Sequence, residues 1–142
     1  MLKLIISATI ILLCAPALHS QEAVSTNVAT VERFVAAFNA HDSEAMAEFV
    51  TEDVTWLSIS GKNVVVEVEG KRELIASMNA YFTSCPTCQS ELSDIISTPS
   101  RVSTIEIAHW QGKSGPRSQR SLSVYEFSGR LIQRVYYFPA EN

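Results

Sequence analysis

Chemistry needs side chains that exchange protons or hold charge, and in this chain the informative ones fall on alternating strand positions. Period-two alternation through residues 102–111 sets Thr104, Glu106, Ala108 and Trp110 on one side, with Ile105, Ile107 and His109 on the other. The same parity groups Ser121, Ser123, Tyr125 and Phe127, then Ile132, Arg134, Tyr136 and Phe138, and earlier Val54, Trp56 and Ser58. These faces mix aromatic and hydroxyl groups with one acid, Glu106, and one base, Arg134. Such a set allows Glu106 to take or give a proton while Arg134, Tyr125 and Tyr136 orient a ligand's oxygen atoms. The competing reading is an ion pair that fixes a sheet and meets no substrate. Trp56 is either a stacking wall for a planar ligand or a bulky core residue.

The remaining reactive residues point elsewhere. Lys3 is the only charge before Glu22, and residues 4–14 form an apolar run too short to cross a bilayer comfortably, so residues 1–20 have the form of a secretory signal peptide. Small residues at Ala15, Ala17 and Ser20 leave the cleavage point open. The product is expected to be exported, periplasmic or secreted. Loss of Cys14 with the leader leaves Cys85 and Cys88, and in an oxidising compartment that close pair reads as a small structural disulfide. A redox-active pair would need its first cysteine at a helix N-terminus, whereas this one follows a helical segment. Zinc would need two further ligands, and neither His41 nor His109 is near in sequence. We find no phosphate-cradling glycine loop, nucleophile elbow or metal cluster, so neither a cofactor nor a metal is implied.

Cleavage after Ser20 leaves 122 of the 142 residues, the size of one ordinary domain. It also takes Lys+Arg from 11 to 10 against 15 acidic residues, a net charge of about −5 that argues against nucleic acid or an anionic membrane as partner.

The elements that must position these residues follow from periodicity. Val28, Val31, Phe34, Val35 and Phe38 share one helical face, with Ser25, Thr26 or Asn27 available as cap. Residues 39–42 break that pattern, Asp42 or Ser43 can cap a second helix, and Met46, Phe49 and Val50 give it an apolar side. Residues 54–60 and 64–68 are β-branched and flank Gly61-Lys-Asn63, a hairpin signature. A third helix from Gly70 carries Leu74, Ile75, Met78, Tyr81 and Phe82 until Cys85-Pro86 stops it. Residues 91–97, 102–111, 120–127 and 131–138 then read as strands, with a loop over 112–117. The order α-α-β-β-α-β-β-β-β predicts an α+β domain whose curved, mostly antiparallel sheet wraps three helices in the N-terminal half.

That order, with Arg33-Phe-Val-Ala-Ala-Phe-Asn-Ala-His-Asp42, Thr51-Glu-Asp-Val54, the stretch around Gly70 and the final Val124–Phe138 pair, resembles the nuclear transport factor 2-like superfamily, in its SnoaL-like and ketosteroid isomerase-like branch. The resemblance covers residues 25–140 and implies a cone, a cystatin-like or SnoaL-like roll. The concave sheet face and the helices would enclose an apolar pocket, and the convex face would often pair with a second subunit. It turns Val54, Trp56, Ser58, Glu106, Ser123, Tyr125, Arg134 and Tyr136 toward the pocket, and on that face Glu106 is the candidate acid/base and Trp56, Ser58, Ser123, Tyr125, Arg134 and Tyr136 are the candidate ligand contacts. It turns Ile105, Ile107, Leu122, Val124 and Val135 outward, an apolar patch best explained by a homodimer.

The isomerase machinery itself does not carry over. Its first-helix tyrosine falls on Phe34, its general-base aspartate on Ser58, and its protonated aspartic acid near Ser123. Phenylalanine donates no hydrogen bond and serine is no unaided base, so that reaction by those residues is disfavoured. The expected activity is binding of a small apolar or aromatic molecule, with cofactor-independent acid/base chemistry of the isomerase, lyase or hydrolase type resting on Glu106. The alternative is a non-enzymatic dimerisation or interaction module whose cone is filled by its own aromatics. An open cavity with Glu106 in reach of it would favour the first, and a packed cone with Glu106 locked to Arg134 the second.

Overall fold

The computed structural model describes residues 16–140, with side-chain surroundings from Ser20 onward, so the leader assigned to residues 1–20 falls almost wholly outside it. The elements are α1 (Pro16–Asn39), α2 (Ser43–Ala47), β1 (Val50–Ser60), β2 (Asn63–Glu69), α3 (Lys71–Ser84), β3 (Gln89–Ser97), β4 (Arg101–Gly112), β5 (Gly115–Ser128) and β6 (Leu131–Phe138). Their order is the one expected from periodicity. Several boundaries differ, and Val50, expected on the second helix, instead opens β1. The residues expected to cap the first helix lie inside α1, where Ser25 and Thr30 hydroxyls bond back to the Glu22 and Thr26 carbonyls and leave the helix intact. The loop expected over 112–117 is only a short turn, because Gly112 pairs with Gly115 and the β4–β5 ladder continues to it.

The α1–α2 break is a local device. His41 takes a positive φ of 56°, and the Asp42 carboxylate then accepts from the Ala45 N–H at 2.9 Å, capping α2. Gly70 opens α3 with φ 94° and ψ 153°, a backbone region that only glycine enters freely, while its N–H donates to the Val54 carbonyl at 2.7 Å. Glu73 reaches back to the Glu69 N–H at 2.8 Å. These bonds tie the start of α3 to the first β-ribbon.

One six-stranded sheet runs in the order β2-β1-β6-β5-β4-β3, antiparallel throughout except for the parallel β1–β6 pair. The core lies between its concave face and the helices. Val31, Phe34 and Val35 of α1, Met46 of α2, and Leu74 and Phe82 of α3 meet Val54, Val102, Phe127, Ile132 and Val135 of the sheet. Alternation on β5 is as expected, with Ser121, Ser123, Tyr125 and Phe127 buried on the inside.

Register breaks occur on several strands, and the bulges on β6 and β2 change which residues face the cavity. On β6, Phe127 pairs with Ile132 and Glu126 with Arg134, which leaves Gln133 without an opposite residue. One extra residue flips everything after it to the other face. Val135, expected outside, is therefore fully buried inside, and Tyr137 follows it inward. Arg134, Tyr136 and Phe138, expected inside, lie on the convex face opposite Glu126, Val124 and Leu122. On β2, Trp56 pairs with Val68 and Leu57 with Val66, which leaves Glu67 as the extra residue.

The convex face is apolar in rows. Val66, Leu57, Tyr136 and Val124 stand side by side across four strands, and Ile105, Leu122 and Phe138 across three. Val66 is 55% exposed and Leu122 41%. Beside them Glu126 accepts from Arg101 at 2.8 Å, Arg134 at 3.1 Å and the Tyr136 hydroxyl at 3.0 Å.

Candidate functional site

The mouth of the cone holds a cavity of about 330 Å³. Its helical wall is Phe34, Val35 and Phe38 from α1 with Met78 and Tyr81 from α3, residues brought together by three- and four-residue helical spacing. Its sheet wall takes Trp56 and Ser58 from β1, Glu67 from the β2 bulge, Ser90 from β3, and Glu106 and Ala108 from β4. Tyr125 of β5 and Tyr137 of β6 complete it. The Phe34 ring lies 6.4 Å from Trp56 and meets Tyr125 edge-on at 6.1 Å, while Phe38 lies 5.9 Å from Tyr81. A mainly apolar cleft with a few convergent polar groups is the usual form of a small-molecule site.

Glu106 is the more central of two acids on this wall by its contacts with Tyr125 and Ser90, and its partner is not Arg134. The Tyr125 hydroxyl donates to Glu106 Oε1, and Ser90 donates to Oε2 at 3.4 Å. Tyr125 is fully buried, and that burial first, then the neighbouring Glu106 carboxylate, holds its phenol well above the ordinary tyrosine range. Tyr125 therefore stays a donor at neutral pH. The carboxylate keeps lone pairs that its two donors do not occupy, so it can accept a proton from a molecule in the cavity. Tyr137 is held by Ser121, hydroxyl to hydroxyl at 2.7 Å, and burial raises the phenol of Tyr81.

The surroundings fix these groups. Asn39, the last residue of α1, donates to the Ser90 carbonyl at 2.8 Å and accepts the Ser90 N–H at 2.7 Å, which sets the start of β3 against the helix. A disulfide joins Cys85 and Cys88 just beyond α3, and the Tyr81 hydroxyl donates to Cys88 Sγ at 3.3 Å. His41, at the α1–α2 break, stacks on Phe82 with ring centroids 4.6 Å apart and donates to the Cys88 carbonyl at 2.9 Å. His109 faces outward, 3.7 Å from Glu91.

Of the residues singled out from sequence, Trp56, Ser58, Glu106 and Tyr125 come together in the cavity wall. Ser123 is buried behind that wall, opposite Tyr137, with no hydrogen-bond partner for its hydroxyl among the described residues. Arg134 and Tyr136 belong to the Glu126 cluster on the other side of the sheet, so the expected Glu106–Arg134 pair does not form. Glu67, Ser90 and Tyr137 were missed. Glu67 had a visible signal, a lone charge inside Val64-Val-Val-Glu-Val68. Tyr137 had none, because both parities of 131–138 mix polar and apolar residues equally.

The SnoaL-like domain family matches residues 31–135. No curated protein matches the chain. Among solved structures it is similar to a cystatin-fold protein from Novosphingobium aromaticivorans, with a TM-score of 0.69 at 23% identity over 78% of this chain and 96% of that one. It is also similar to a nuclear transport factor 2-like protein from Cytophaga hutchinsonii, with a TM-score of 0.62 at 15% identity over 82% and 97%. A Mycobacterium tuberculosis protein in complex with estradiol-17beta-hemisuccinate gives a TM-score of 0.65 at 16% identity over 79% and 92%. These likenesses show the fold. With the match across most of its length, the chain belongs to the SnoaL-like domain family, and it has the fold of the nuclear transport factor 2-like structures.

Proposed function

We propose that this chain binds a small, largely apolar or aromatic molecule in its cone and that Glu106 moves a proton on it without a cofactor, in an isomerase, lyase or hydrolase type of reaction. The observation that carries this reading is an open apolar cavity with a carboxylate on its wall whose partners are two hydroxyls and no cation. A structural ion pair would have engaged the carboxylate with Arg134, and a filled cone would leave no such volume. The steroid ester held by the M. tuberculosis protein of the same fold supports a ligand of that general kind. Export is part of the proposal, supported by the leader-like pattern of residues 1–20 and by the disulfide.

Proton transfer is testable before the natural substrate is known. Tetralone, a neutral aromatic ketone, exchanges its α-protons with D2O slowly and is small enough for the cavity. The folded protein should speed that exchange, and Glu106→Gln should cut the acceleration by about 10²-fold or more while leaving tetralone binding intact. Exchange that is equally fast with Glu106→Gln would remove Glu106 from the chemistry.

A further inference from the structure

The polarity of the cone is one-sided. Two carboxylates, Glu67 and Glu106, line the cavity, and no lysine, arginine or histidine among the described residues does. Lys62, in the β1–β2 turn, and Arg117, opposite Trp110, do not line the cavity. Six aromatic rings surround the space: Phe34, Phe38, Trp56, Tyr81, Tyr125 and Tyr137. Ring faces carry negative electrostatic potential and attract a cation within about 6 Å of the centroid.

The two acids are not equivalent. Glu106 already accepts from Tyr125 and Ser90. Glu67 makes no hydrogen bond or ion pair among the described residues, and it turns to the cavity only because the β2 bulge inserts it between Val66 and Val68. Without that extra residue, strand alternation beside inward Val68 would turn it to the convex face. A free carboxylate at the mouth of an aromatic cage is complementary to an ammonium and repels an anion.

Building on the binding reading above, we propose that the ligand class is an apolar or aromatic amine, its ammonium seated between Glu67 and the cage rings, with its apolar body reaching toward Glu106. Glu67 is then a ligand-binding and charge-selecting residue, and Glu106 remains free for proton transfer.

Three probes of one shape separate the possibilities: naphthylmethylamine, cationic at neutral pH, naphthylmethanol, neutral, and naphthoate, anionic. Isothermal titration of the disulfide-intact chain should give the amine at least tenfold tighter binding than the alcohol, and naphthoate the weakest. Glu67→Gln should bring the amine down to the affinity of the alcohol, with the alcohol unchanged and the thermal midpoint within a few degrees of wild type. The proposal is overturned if the alcohol or naphthoate binds as tightly as the amine, or if the amine's advantage survives Glu67→Gln. In those outcomes the binding reading still stands, because a ligand is held. If none of the three binds the folded chain at millimolar concentration, the cone is not a binding site and both readings fall.

Discussion

Tyr125 carries more of the site than its neighbours, because it is at once core, cavity wall and hydrogen-bond donor to Glu106. Its raised phenol pKa has a defined consequence for stability. A folded-state pKa above the unfolded one stabilises the fold fully below the unfolded value, about pH 10, and that contribution is lost as pH rises toward the folded one. Tyr125→Phe should therefore flatten the alkaline limb of the stability profile above about pH 10. At neutral pH the same change leaves Glu106 without its main donor and should cost about 1.5–3 kcal/mol. Urea midpoints at neutral and alkaline pH check both effects, and an alkaline limb as steep in the variant as in wild type would contradict the assignment. Alternation grouped Glu106, Tyr125, Trp56 and Ser58 on shared faces, and the family resemblance turned those faces to the pocket. The same rule misplaced Arg134 and Tyr136, since a bulge is an extra backbone residue and the polar-apolar pattern of 131–138 does not mark it.

At the level of elements, most of the fold was readable because each helix keeps its 3.6-residue stripe and each strand its turn signals. The order of nine elements follows from those periods alone. Strand neighbours do not: the parallel β1–β6 pair joins residues about 80 positions apart, as in Thr55 with Arg134, and no local pattern marks it. The joint between the ribbon and α3 depends on Gly70, whose φ of 94° and ψ of 153° tax any side chain. Gly70→Ala should destabilise the domain by about 1–3 kcal/mol without a steric clash, as an added Cβ would meet only the Glu52 carbonyl at 3.6 Å. Equal urea midpoints for the two proteins would refute that strain. The disulfide closes so short a loop that its loss should cost only about 2 kcal/mol in the chain-entropy account. The bond also fixes the sulfur to which Tyr81 donates at the cavity mouth.

For the whole molecule, the two faces of the sheet imply separate roles. The concave side holds the cavity, and the convex side presents rows of apolar residues flanked by charges of both signs, Arg101, Arg134 and Arg120 with Glu126 and Asp94. A face that is apolar along its middle and balanced in charge at its edge is complementary to itself, and we propose that a second copy of the chain covers it. The patch differs in membership from the one expected from sequence, with Tyr136 and Phe138 present and Val135 turned inward. Sedimentation at micromolar concentration should give a dimer, and Val124→Asp should give a folded monomer, because a charge then sits in the middle of the apolar row. A wild-type monomer would contradict it.

Ligand binding in the cone requires its open volume, so filling that volume tests the proposal. Ala108 lines the cavity on β4 two residues from Glu106, and Ala108→Phe puts a ring in the space while keeping both Glu106 and Tyr125 in the chain. Isothermal titration of naphthylmethanol should show binding to the wild-type chain and none to folded Ala108→Phe. Equal binding to both would place the ligand outside the cone and contradict the account.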